Sequence, residues 1–186
     1  ARLMEWIAYH ASAHVVALSP GIADGVVRRG LPAARVSVIP NGCDVALFDV
    51  PASRGLAVRA RLGLDPEQPL VVYAGTFGRI NGVGYLVAVA SAMRAIAPEV
   101  RFLLVGSGAE RERVVGEAQR AGIWEDSLWV WAPVVKQEMP AVLAAATVAT
   151  SVFVPLEPMW NNSANKFFDA LAAGKPVAIN YGGWQA

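Results

Sequence analysis

Three turns of the chain carry residue types that could bind a phosphate group. The first, residues 75–82, combines three glycines with an arginine and an asparagine. Glycine lets the backbone approach a phosphate closely, and a guanidinium can contact two phosphate oxygens at once. An ordinary tight turn with Arg79 in solvent explains the same residues equally well. The candidate ligands in this turn are Gly75, Thr76, Gly78, Arg79 and Asn81.

The second turn begins like the glycine fingerprint of dinucleotide-binding proteins. It contains Gly106, Ser107 and Gly108, but Arg111 stands where that fingerprint requires a third glycine. No acidic residue ends the following strand to bind a ribose hydroxyl. The segment 174–176 likewise lacks the residues of an ATP-binding P-loop. Two glycines without the rest of the fingerprint are therefore only a weak indication of a nicotinamide-binding site.

The third turn opens a predicted helix with small polar residues. Such residues leave the first N–H groups of a helix accessible to an anion. Lys166 and Asp169 are three positions apart and share one face of the helix, where they could meet a phosphate and a ribose hydroxyl. A helix cap followed by an exposed ion pair is the alternative, and the composition alone favours it. The candidate ligands here are Ser163, Ala164, Asn165, Lys166 and Asp169.

The elements around these turns alternate between strands and helices from residue 70 onward. Short runs rich in β-branched residues predict strands at 70–74, 101–105, 128–131, 147–154 and 176–180. Patterns with helical periodicity separate them. This alternation predicts an α/β fold with a parallel, Rossmann-like sheet and helices on both faces, and places the turns at its ligand-binding edge.

The first fifty residues do not continue this alternation cleanly. A predicted helix at 3–13 precedes a strand, a helix that begins after Ser19, and a strand that ends at residue 39. Residues 49–54 are rich in turn formers and lead to a basic helix at 56–62. We therefore expect a boundary near residues 45–52, with one unit at 1–50 and a second at 51–186.

The composition excludes several classes of protein. The chain has 186 residues, of which 55% are hydrophobic and 17% charged, and its net charge is +1. Such a chain is too apolar for disorder and lacks the positive charge of a nucleic-acid binder. One cysteine cannot form an internal disulfide. Residues 139–156 carry no charge, but Pro140 and Pro155 favour a short helix and a buried strand over a membrane span.

Several motifs together resemble glycosyltransferase family 4. They are the Pro-Asn-Gly-Cys-Asp run at 40–44, the strand end at 73–75, the turn at 105–108, and residues 165–169 ahead of 172–177. The resemblance implies a retaining enzyme with a GT-B fold of two Rossmann-like domains. Residues 163–169 resemble the bacterial branch that builds O-antigen and exopolysaccharide.

The resemblance also implies roles for individual residues. Residues 51–186 would be the C-terminal, donor-binding domain, and residues 1–50 the end of the acceptor domain with its linker, so that the fold is incomplete at both ends. Asp169 would bind the ribose hydroxyls, and the backbone at Pro133 or Val134 would contact the nucleobase. No metal or cofactor is expected. The residues placed against the donor are Gly75, Thr76, Gly106, Ser107, Gly108, Val134, Ser163, Ala164, Asn165 and Asp169.

The sequence departs from the family pattern at three positions. Asn161 replaces the first glutamate of the family's pair, and Thr76 and Asn81 replace its phosphate-binding arginine and lysine. Arg79 and Lys166 are the nearest remaining cations. We therefore expect these two side chains to stabilise the diphosphate leaving group.

These observations predict a transferase that moves a sugar from a nucleoside-diphosphate sugar to a lipid-linked saccharide or polysaccharide in cell-surface glycan synthesis. We expect it in the cytoplasm, with peripheral contact to the inner membrane face through an absent N-terminal domain, and expect the isolated chain to be inactive. The main alternative is a nucleotide-sugar-binding module without catalysis. A sugar-nucleotide epimerase and an NAD-dependent dehydrogenase are further alternatives.

Overall fold

The computed structural model of the protein describes residues 2–186. Within this range, seven strands form a two-stranded and a five-stranded sheet, and every strand pairing is parallel. The strands are β1 Val15–Ala17, β2 Val36–Val38, β3 Leu70–Ala74, β4 Arg101–Val105, β5 Leu128–Trp131, β6 Val148–Ser151 and β7 Val177–Ile179.

Helices connect the strands throughout the described chain. They are α1 Arg2–Ala11, α2 Pro20–Arg28, α3 Val45–Phe48, α4 Ala52–Arg61, α5 Gly84–Ile96, α6 Arg111–Arg120, α7 Met139–Ala145 and α8 Asn165–Ala172. Short 3₁₀ turns lie at Ala33–Arg35, Arg79–Asn81 and Glu157–Asn161.

The five-stranded sheet is buried on both faces. Alternate residues of β4 point to opposite sides, so that Phe102 and Leu104 pack with α5 and α6, whereas Leu103 and Val105 pack with α4 and α7. A parallel sheet covered in this way needs continuous apolar strands. The uncharged, β-branched runs of the sequence meet that need.

The strand order β5-β4-β3-β6-β7 determines where a ligand can bind. From β3 the chain moves outward through β4 to β5, and then returns to place β6 on the other side of β3. The loops after β3 and β6 therefore separate at the carboxyl edge of the sheet and leave a crevice between them. Open α/β sheets bind their ligands at such a crevice.

The structure differs most from the predicted elements at two places. The strand predicted at 147–154 ends at Ser151, because the Asn180 side chain bonds both the N–H and the carbonyl of Phe153 at 2.9 Å and draws the chain out of the sheet. The turn predicted at 49–54 already contains the first residues of α4. Its helical turn starts where the Arg54 N–H donates to the Pro51 carbonyl, at 3.0 Å.

The stretch considered as a membrane span consists of α7, β6 and the connections around them. Across residues 2–186, no helix has both the length and the apolar character needed to cross a membrane.

Candidate functional site

A cleft of about 690 Å³ opens between the loops that follow β3 and β6. It lies at the crevice that the strand order predicts. Most of its lining comes from the first and third turns singled out in the sequence. The lining residues are Asn41, Ala74, Gly75, Thr76, Gly78, Ile80, Asn81, Met139, Phe153, Asn162, Ser163, Ala164, Asn165, Lys166 and Asp169.

The two glycines of the second turn allow the β3 loop to lie directly on it. Gly106 has φ +151°, and a Cβ there would stand 1.9 Å from the Gly75 carbonyl oxygen. Gly108 has φ +147°, and its Cβ would stand 2.5 Å from the Phe77 carbonyl oxygen. Only glycine suits such a backbone conformation at such a distance. Gly106 and Gly108 therefore form the surface on which the first turn packs.

A smaller side pocket of about 190 Å³ adjoins the main cleft. Gly75, Thr76 and Met139 line both spaces, which makes them one continuous groove. The side pocket contains Gly106, Ser107 and Val134, three of the residues predicted to line the donor site. Gly108 lines neither space, because it packs against Phe77 instead.

The start of α8 presents a row of free N–H groups at the edge of the cleft. Ala164, the residue before the helix, has an extended backbone and makes no side-chain cap. In residues 2–186, no acceptor receives the N–H groups of Ser163, Ala164, Asn165 and Lys166. Together with the positive end of the helix dipole, such groups form an anion-binding site.

Lys166 brings a positive charge into the cleft. Its Nζ lies 4.4 Å from the centre of the Phe153 ring and 5.5 Å from that of Tyr73. Burial of this ammonium lowers the pKa of Lys166 from 10.5 to about 8. Two aromatic rings favour a cation, but they leave its hydrogen-bonding capacity free for a ligand.

Asp169 lines the cleft together with Lys166, as their spacing predicts. The exposed ion pair considered as the alternative is not formed, because Lys166 points to the aromatic rings and none of the ion pairs among the described residues joins the two. Burial raises the pKa of Asp169, and the charge of Lys136 opposes that rise.

The structure does not bring Arg79 into the cleft. Its side chain is 90% exposed, and its Nε lies 3.9 Å from a carboxylate oxygen of Glu110. The short turn Arg79–Asn81 directs its other two residues inward, since Ile80 and the buried Asn81 both line the cleft. The Arg79 side chain consequently points away from the cleft. Its proposed contact with phosphate requires a different side-chain orientation.

Six residues that line the cleft are not among the predicted site residues: Asn41, Ala74, Ile80, Met139, Phe153 and Asn162. Asn41 belongs to the Pro-Asn-Gly motif, but nothing in the pattern places it against a loop more than a hundred residues away. Phe153 falls within the strand predicted at 147–154, but its bonds with Asn180 turn it towards the cleft instead. Both positions depend on contacts between distant segments.

Metal-binding residue types do not gather in the described part of the chain. No three His, Cys, Asp or Glu side chains within residues 2–186 lie close enough together to hold a metal ion. The Lys166 ammonium and the N–H groups that begin α8 face the cleft with positive charge and hydrogen-bond donors.

Comparison with known proteins identifies the family. A family model described as "Glycosyl transferases group 1" matches residues 68–185, and one described as "Glycosyltransferase Family 4" matches residues 1–47. Alpha-maltose-1-phosphate synthase of Mycolicibacterium smegmatis is 32% identical over 82% of this chain and 41% of the synthase. D-inositol 3-phosphate glycosyltransferase of Xylanimonas cellulosilytica is 32% identical over 90% of this chain and 40% of that protein.

A solved structure has the same fold. The Anabaena protein Alr3699/HepE, in complex with UDP-glucose, matches with a TM-score of 0.81 and 21% identity, over 98% of this chain and 50% of that one. The chain thus spans half or less of the length of these relatives. The predicted fold class is confirmed: a parallel α/β sheet with helices on both faces, as in GT-B glycosyltransferases. Because the first family model matches more than half of the chain, the protein belongs to the glycosyl transferases group 1 family.

Proposed function

We propose that this chain binds the donor of a retaining glycosyltransferase, and that the donor is a nucleoside-diphosphate sugar. The observation that carries the proposal is the convergence of the free N–H groups at the start of α8 with the Lys166 ammonium on one cleft. A diphosphate needs both positive charge and hydrogen-bond donors, and this cleft offers them at the crevice of the sheet.

The groove suggests how the donor lies. We place the diphosphate against Gly75, Thr76 and the start of α8, and the nucleobase in the side pocket near Val134. Asp169 then faces the ribose, whose hydroxyls can donate to its carboxylate. The sugar extends towards Asn162 and Ser163.

Lys166 would then contribute directly to catalysis. When the bond between sugar and phosphate breaks, negative charge develops on the departing diphosphate. A cation already held beside that oxygen stabilises the transition state more than the ground state, which raises kcat. Arg79 could add to this effect only after leaving Glu110, so its catalytic role stays a prediction.

For the acceptor, we propose a lipid-linked saccharide or polysaccharide of the cell surface, modified at the cytoplasmic face of the membrane. Residues 163–169 favour this O-antigen and exopolysaccharide branch. A phosphorylated small molecule is the second candidate, because the names of two relatives contain D-inositol 3-phosphate and maltose 1-phosphate.

Calorimetric titration of the complete protein with UDP-, GDP- and dTDP-sugars tests the donor assignment. We expect one nucleotide to bind, and expect Asp169→Asn to weaken it by removing the charged acceptor for the ribose hydroxyls. Binding of none of the three classes, with NAD bound instead, would refute the assignment.

A second measurement separates an enzyme from a binding module. Release of free nucleoside diphosphate from the bound donor, in the presence of a membrane extract or of inositol phosphate, indicates transfer and shows which acceptor class is used. Donor binding with no release under either condition would instead favour a module without catalysis.

A further inference from the structure

The loop that leads into α8 is held in place through its carbonyl groups. Three successive carbonyls each accept a hydrogen bond from a side chain outside the loop. The Ser19 hydroxyl donates to Asn161 at 2.6 Å, the Trp184 indole to Asn162 at 2.8 Å, and the Asn41 amide to Ser163 at 2.5 Å. Carbonyls of a surface loop can be left to water, but in this loop side chains bind all three.

Two of these three donors belong to the segment that precedes α3. Asn41 is bound twice, because its main-chain N–H also donates to the Ser163 hydroxyl at 2.9 Å. Ser19 is fully buried, and its hydroxyl accepts the Ile22 N–H at 3.2 Å while donating to Asn161. The start of α2 is therefore joined to the same loop.

Close packing reinforces this connection. A Cβ at Gly21 would stand 1.9 Å from the side-chain oxygen of Asn161, so that α2 lies directly on the loop. In this arrangement the Asn161 side chain is turned towards the segment before α3. Movement of that segment would consequently move the loop as well.

The planarity of the peptide bond links the Asn41 hydrogen bond to a group in the cleft. A trans peptide is planar, and its carbonyl and N–H point in opposite directions. The peptide between Ser163 and Ala164 has its carbonyl bound by Asn41, so its N–H, which has no acceptor in residues 2–186, is aimed away from Asn41. Ala164 lines the cleft, and its N–H is one of the groups available to an anion.

We propose that Asn41 is a positioning residue for donor binding: it directs the Ala164 N–H at the diphosphate and couples the placement of residues 2–44 to the donor site, with Ser19 supporting the same loop. This inference rests on the proposed function, because it assumes that a diphosphate binds at the start of α8. The Asn41 amide is bound to the Ser163 carbonyl, so its proposed effect on the diphosphate passes through the Ala164 N–H.

Titration of the complete protein with UDP tests the role of Asn41. Asn41→Ala removes the side-chain donor, and Asn41→Leu keeps a similar size without adding a charge and cannot donate to a carbonyl. We expect each variant to bind UDP about tenfold more weakly, in line with the loss of one hydrogen bond. Ser12→Ala is the control, since that exposed hydroxyl donates to the Ala8 carbonyl in the helix that precedes it and, within residues 2–186, bonds no other group. We expect it to match the wild type.

Each result has a definite meaning. If Asn41 only fills space, Asn41→Leu will bind UDP as the wild type does, and that result overturns the proposal. Equal affinity in Asn41→Ala overturns it too. A wild type that binds no nucleotide refutes the proposed function, whereas a wild type that binds UDP with unaffected variants refutes the positioning role alone.

Hydrogen exchange on the wild type provides a test that needs no variant, should the substitutions prevent folding. We expect UDP to slow exchange in peptides that cover residues 161–166 and also in those that cover 19–24 and 39–43. Protection confined to 161–166 would show that the segment before α3 is not coupled to the donor site, and would overturn the proposal.

Discussion

Replacement of Lys166 by methionine should stabilise the protein while it impairs donor binding. The ammonium is half-buried among Tyr73 and Phe153 and has no carboxylate partner among the ion pairs of residues 2–186. Methionine has a similar length, is unbranched and packs well against aromatic rings. The substitution therefore removes the charge with little change in packing.

The size of the stability effect follows from the pKa of Lys166, which burial lowers from 10.5 to about 8. Because one pKa unit corresponds to about 1.4 kcal/mol, burial of the charged form costs on the order of 3 kcal/mol at pH 7. The unfolded chain binds the proton more tightly, so stability of the wild type should rise between pH 8 and pH 10.5. In Lys166→Met this rise should disappear, and stability at pH 7 should increase by about 1–3 kcal/mol.

Donor affinity should change in the opposite direction. A bound diphosphate favours the charged form of Lys166, so UDP affinity of the wild type should fall about tenfold per pH unit above pH 8. Loss of a charge-assisted hydrogen bond, about 1.5–3 kcal/mol, weakens binding by roughly 10- to 100-fold at pH 7. Lys166→Met should bind UDP equally weakly at pH 7 and pH 9.

Urea unfolding and calorimetry at both pH values provide the two measurements. Lys175→Met is the matched control, because burial also lowers the pKa of Lys175, but its Nζ donates to the Ala144 carbonyl, outside the cleft. The control should retain UDP affinity. Wild-type affinity for UDP in Lys166→Met would refute the assignment of Lys166 to the diphosphate.

Two further predictions concern packing and thiol reactivity. Gly106→Ala should destabilise the protein by about 2–4 kcal/mol in urea unfolding, because its Cβ would stand 1.9 Å from the Gly75 carbonyl oxygen. Gly116→Ala, in α6 with open space around it, should instead stabilise by about 0.5–1 kcal/mol, and equal effects at both sites would contradict this reasoning. Burial and the nearby charges of Asp169 and Asp44 raise the pKa of Cys43, so we expect it to react with a thiol reagent at pH 8 more slowly than free cysteine does. Faster reaction would contradict the predicted shift.

The strands of the five-stranded sheet show how much of the fold local sequence patterns predict. The strands β3, β4 and β5 have the bounds that the sequence predicts, because each is a continuous apolar run that stops at a glycine or at turn residues. The prediction fails at β6. There the apolar run continues to residue 154, but the distant Asn180 side chain competes for the backbone of Phe153.

The residues of the cleft show the same limit of prediction from local sequence patterns. Spacing correctly places Lys166 and Asp169 on one face of α8, since helical periodicity is a local property. The ion pair considered between them is absent, because Tyr73 and Phe153, which come from other strands and loops, draw the ammonium away. The sequence predicts that Arg79 contacts the phosphate, but the turn that contains it directs its side chain to Glu110.

By itself, the sequence determined the α/β class, the order of the elements and the three turns at the carboxyl edge of the sheet, because periodicity and glycine placement are local. Only the tertiary structure decided which groups converge on the cleft. Asn41 reaches Ser163 across 122 positions, and distant side chains hold the carbonyls of the loop that leads into α8. Such contacts depend on the order of the strands in the sheet. Short stretches of neighbouring residues carry no information about that order.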